Sequence, residues 1–67
     1  MNPGEFKAAV KHRLIDLDKT QAWLIREVSA KTGLYLDSSY MSKIYSGKAK
    51  SARIIGTIRE ILDLPEE

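Results

Sequence analysis

From Phe6 to Leu62 the apolar residues recur every three or four positions, and this period constrains the fold more than any other feature of the chain. Phe6, Val10, Leu14 and Leu17 make one stripe. Leu24, Ile25 and Val28 make a second, with Thr32 on the same side. Tyr40, Met41 and Ile44 share a third, and Ile54, Ile55, Ile58, Ile61 and Leu62 cover an arc of about 120° in a fourth. A capping residue opens each of the first three stripes. Asn2 precedes Pro3, which suits a first helical position, and Glu5 lies in the first turn, where the helix dipole favours an anion. Thr20 precedes Gln21, Asp37 precedes Ser38, and Gly33 and Gly47 stand where helices would stop. The marks predict helices over roughly residues 3 to 16, 21 to 31 and 38 to 45, and from Ser51 or Ala52 to about Leu62, ahead of Pro65. Only the run Leu34-Tyr35-Leu36 hints at a strand. The expected fold is all-α, a compact orthogonal bundle of four or five short helices in a single domain spanning residues 1–67.

A chain of 67 residues has a small core and no room for a large enclosed pocket. It has no cysteine, so disulfides and thiolate chemistry are excluded. Its single histidine, His12, reads as an exposed helix residue, and no cluster at ligand spacing suggests a metal or other cofactor. No apolar run approaches the roughly 18 residues of a membrane span, and no leader pattern stands at the N-terminus, so a cytoplasmic chain without a membrane partner is expected. The acids are scattered, with no paired base or nucleophile, which argues against an enzyme and a small-molecule ligand.

The net charge of +2 identifies no partner; its distribution is more informative, though on charge alone a basic stretch can equally be a solvated loop. Residues 1–37 carry six Lys/Arg and five Asp/Glu, whereas residues 38–53 carry Lys43, Lys48, Lys50 and Arg53 and no acid. That basic window includes a short helix with a small polar side, Ser38, Ser39, Ser42 and Lys43, followed by the loop Ser46-Gly47-Lys48. The order of parts is that of a helix-turn-helix reader of duplex DNA. The helix opening at Gln21 lies across the backbone, where its free amides and Gln21 donate to phosphate. The next helix enters the major groove. Ser38, Ser39 and Ser42 let its backbone come close, and Lys43 reaches guanine O6 and N7. Ser46, Lys48 and Lys50 follow as phosphate contacts. Arg53 opens the last helix, where a cation opposes the dipole unless a phosphate is near. Tyr45 stands at the edge of the exposed face with its hydroxyl toward phosphate. Tyr40 is read as core, and Trp23 as packing on the turn near Leu34 and Leu36.

The segments KTQAWLI and SSYMSKIYSGKAK resemble the Cro/repressor-type (xenobiotic-response-element) helix-turn-helix family. The matching elements are Thr20-Gln21, Leu24, Ser42-Lys43-Ile44, Ser46-Gly47-Lys48 and the segment from Ile58 to Leu64, so the likeness covers about residues 7–64. It implies a lambda-repressor-like fold, sequence-specific binding of double-stranded DNA and a transcription regulator, such as a repressor. Three departures stand out. Residues 28–39 are about six longer than the family's tight turn, which resembles a variant among small prophage and mobile-element regulators. Ile25 stands where the family commonly has Ala, and the chain stops where many members add a fifth helix.

The rival reading is a protein-interaction module, antitoxin-like or antirepressor-like, on the same fold. Such a face would be aromatic or aliphatic, whereas Ser38, Ser39, Ser42 and Lys43 are small and polar. For assembly, the expectation is a monomer or weak homodimer that pairs on a two-fold operator. The expected seam is the edge of the last helix, at Ile55 and Leu62, with like charges from Glu60, Asp63, Glu66 and Glu67 weakening it. Leu34, Tyr35 and Leu36 offer a rival surface.

Overall fold

The computed structural model describes residues 2–64. Four helices form among them: α1 (Pro3–Leu17), α2 (Gln21–Thr32), α3 (Ser38–Tyr45) and α4 (Ala52–Leu62). The fold is an all-α bundle, and the described residues contain no strand. Pro65, Glu66 and Glu67, invoked above for the end of the last helix and the charge near its seam, lie outside the described residues.

The helices begin where side chains satisfy orphan amides. Asn2 Oδ1 accepts from the Glu5 amide at 2.8 Å, and Thr20 Oγ1 from Trp23 at 3.1 Å. Asp37 Oδ1 accepts from Tyr40 at 2.8 Å, and Ser51 Oγ from Ile54 at 3.3 Å. Two helices end on a residue less expected there: Asp18 and Asp63 take the left-handed conformation that glycine usually supplies, at φ 56° and 55°. Aspartate tolerates this region better than most residues with a side chain.

The twelve buried apolar residues form one cluster fed by all four helices and by Leu36. The main packing partners are α2 and α4, while α1 crosses both α3 and α4. Arg13 Nε donates to the Leu62 carbonyl at 2.7 Å, so α1 satisfies an orphan acceptor at the end of α4. No helix among the described residues is long and apolar enough to cross a membrane.

The structure corrects several expectations. Leu17 is 36% exposed, because the first stripe stops at Leu14 where α1 passes the end of the core. The run Leu34-Tyr35-Leu36 is an irregular loop: Leu36 is buried, while Leu34 and Tyr35 face out. The long turn is shorter than it reads, because α2 continues to Thr32 and leaves residues 33–37 as the connection. Thr32 is buried at that end, donating to the Val28 carbonyl at 2.8 Å and accepting from the Leu34 amide at 3.2 Å. Gly33, at φ 71°, then turns the chain out of the helix. Leu62 is fully buried, so the edge of α4 is not an exposed seam, and Ile55 is half-buried. An apolar residue on an amphipathic helix is drawn inward wherever a neighbouring helix covers it, and α4 packs against both α2 and α1.

Candidate nucleic-acid interface

The polar side of α3 divides into two strips. Ser38, Ser42 and Tyr45 recur at helical spacing and line a cleft of about 360 Å³ together with Ser46. The opposite wall comes from Gln21 at the start of α2 and from Lys7 and Lys11, one turn apart on α1. Among the described residues, no acid lines this cleft. Ser39 and Lys43 stand beside it on the outer strip, both exposed. The cleft therefore gathers five of the residues expected from sequence, Gln21, Ser38, Ser42, Tyr45 and Ser46, and adds two lysines that sequence reasoning missed. An available sign was their i, i+4 spacing, each one residue after a member of the buried stripe, Phe6 and Val10.

Tyr45 is the principal correction at the site. It does not sit at the edge of an exposed face but is 8% exposed, with its ring in the core. The Phe6 ring lies against it, centroid to centroid 6.3 Å, and the Lys7 ammonium is 5.9 Å above it. Its hydroxyl donates to Gln21 Oε1 at 3.2 Å. Burial pushes its pKa from 10.0 up to about 12, because a phenolate would lose its hydration there.

The loop after α3 is tied to the helix end. The Lys43 carbonyl accepts from the amides of Lys48, at 2.9 Å, and Ala49, at 3.1 Å, and from Ser46 Oγ at 3.1 Å. The Gly47 amide donates to the Ile44 carbonyl at 3.1 Å. At φ 81°, with Pro3 Cγ only 2.9 Å from where a Cβ would stand, position 47 favours glycine on both counts. These bonds hold the backbone of exposed Lys48 at the C-terminal end of α3.

Lys50 lies elsewhere. It lines a second groove of about 320 Å³ with Asn2, Pro3, Phe6, Ile44, Gly47, Ala49, Ile55 and Arg59. Arg53 is exposed in the first turn of α4, outside both grooves. Tyr40 is half-buried against the core, as is Trp23, whose ring carries the Lys19 ammonium at 5.4 Å.

The cleft chemistry is that of an anion site. Lysine ammoniums, serine hydroxyls and an amide can all donate, and the N-terminus of α2 adds backbone N–H groups with no acid in its first turn. Comparison with protein-family models, with curated proteins and with solved structures found no match to this chain.

Proposed function

We propose that the chain is a sequence-specific binder of double-stranded DNA, a Cro/repressor-type helix-turn-helix regulator that reads the major groove with α3. One observation carries the reading: the cleft, without an acid among the described residues, in which α1, α2, α3 and the residue after α3 bring Lys7, Lys11, Gln21, Ser38, Ser42 and Ser46 together beside the exposed Ser39 and Lys43. Phosphate contacts position a protein on the duplex, and base-edge contacts specify the sequence. The two strips of α3 divide along that line. The cleft strip faces backbone, and Lys43, with Ser39, faces the base edges. Lys48, held by its amide at the end of α3, is a further phosphate contact.

The test is a titration against duplex DNA at two salt concentrations. About four phosphate contacts per subunit give a log–log slope near −4 at roughly −0.9 per phosphate. Binding indifferent to salt, or absent at low salt, would sink the reading. Lys43→Ala should cost about 1–3 kcal/mol and relax preference at one base pair. Lys48→Ala should weaken all sequences alike. If the two variants behave identically across a panel of operators, the division of roles is wrong.

A further inference from the structure

The pairing of Tyr45 with Gln21 has a consequence for what the cleft can hold. A glutamine amide offers an acceptor oxygen and a donor nitrogen. Here Oε1 is taken by the Tyr45 hydroxyl, and Nε2 has no protein acceptor among the described residues. The first amides of α2 are in the same condition: Thr20 serves the amides of Trp23 and Leu24, which leaves those of Gln21 and Ala22 as orphan donors. Lys7 and Lys11 line the same cleft, and so do the hydroxyls of Ser38, Ser42 and Ser46. The Ser46 hydroxyl spends its proton on the Lys43 carbonyl and the Tyr45 hydroxyl on Gln21 Oε1, but the two lysines, Gln21 Nε2 and the hydroxyls of Ser38 and Ser42 can all donate, so the space between them suits a compact oxyanion.

Resting on the DNA-binding reading, we propose that this cleft seats one phosphodiester of the duplex backbone, shared by Lys7, Lys11 and Gln21, and that Tyr45 is its positioning residue. The phenol does not reach for the anion itself. Its ring is buried against Phe6, and its hydroxyl fixes Gln21 with Nε2 toward the phosphate. The phenol ionises only well above neutral pH, so this donation persists throughout the neutral range.

The experiment measures duplex affinity for wild type, Tyr45→Phe, Gln21→Ala, their double variant and Gln21→Glu, with backbone resonances confirming the fold of each. Tyr45→Phe keeps the ring and loses the hydroxyl. It should weaken binding about 2- to 10-fold for every sequence alike, the value of one hydrogen bond, and leave the salt slope unchanged because no charge is lost. Combined with Gln21→Ala it should add little, since both remove the same contact. Gln21→Glu can still accept from Tyr45 but turns a second carboxylate oxygen to the anion. It should weaken binding more than Gln21→Ala while raising stability at a helix N-terminus, two opposite signs that a merely structural role would not give. Lys7→Ala with Lys11→Ala should lower the slope by about 0.9, the value of one phosphate. Independent, multiplying effects of Tyr45→Phe and Gln21→Ala would overturn the positioning role, as would wild-type affinity in Tyr45→Phe. A slope change of about 1.8 would overturn the single shared phosphate. Should wild type not bind duplex at all, the DNA reading falls. Inorganic phosphate then decides the socket alone: shifts of the Gln21 side-chain amide in wild type but not in Tyr45→Phe support it as a site for a free phosphate, and no shift in either overturns it.

Discussion

Two grooves of nearly equal size lie on either side of a pair of rings: Tyr45 lines one and Phe6 the other, and this contact, with centroids 6.3 Å apart, is the wall between them. Each ring carries a cation on its own side, Lys7 over Tyr45 and Arg59 over Phe6. The surroundings then diverge. The Tyr45 side is lined by lysines, serines and a glutamine. The Phe6 side is lined largely by Pro3, Ile44, Ala49 and Ile55 with Lys50 and Arg59. Volume does not distinguish them; the donors do. A concave surface becomes a candidate for an anion where donors converge without an acid. On the Phe6 side the two cations border mostly carbon.

Removing the shared wall has the largest expected effect. Phe6→Ala should cost about 3–5 kcal/mol of stability, read as a shift of the urea midpoint. In a domain this small that is a large part of the total. A loss below about 1 kcal/mol would mean that the Phe6 ring is not packed into the core beside Tyr45.

The next test weighs one side against the other. Lys7→Ala with Lys11→Ala should weaken duplex binding about 10- to 100-fold, the range of charge-assisted hydrogen bonds. Lys50→Ala, across the wall, should weaken it much less. Stability should barely change in either case, since all three lysines are exposed. Equal losses for the two variants would erase the distinction between the grooves.

A smaller effect is expected from the glycines. Gly47→Ala should destabilise by about 1–3 kcal/mol, because a positive φ and contact with Pro3 act together. Gly33→Ala meets the same backbone strain but open space, and should cost only about 1 kcal/mol. Unfolding midpoints of the two variants, compared directly, isolate the contribution of the close approach between α1 and the loop after α3.

The helices were legible because their boundaries are local. Asn2, Thr20, Asp37 and Ser51 cap within three residues of themselves, so no tertiary knowledge is needed to find them. The site was legible only in part. Gln21 and the serines belong to a contiguous pattern, but Lys7 and Lys11 sit in a helix of mixed charge and join the cleft only because α1 crosses α3. Tyr45 misled for the same reason. On α3 alone its position is ambiguous between core and surface, and Phe6, distant in sequence, decides it. Leu62 reads as an edge residue of its stripe until the packing of α4 on α2 and α1 encloses it.

The last test concerns the burial of Tyr45 directly, and its effect appears only at high pH. In the unfolded chain this phenol ionises at its ordinary value of 10.0, and in the folded protein at about 12. The folded state thus holds the proton more tightly. The resulting stabilisation is complete below pH 10 and is lost as pH rises toward 12. Tyr45→Phe has no such proton, and every other titrating group is common to both proteins and drops out of their difference. Wild type should therefore lose stability relative to Tyr45→Phe between pH 10 and 12, and the two should run parallel at lower pH. Urea midpoints of both proteins across that range measure it. Parallel curves all the way through would place the hydroxyl in water, on the open side of the wall rather than within it, and would remove the rigid support on which Gln21 depends.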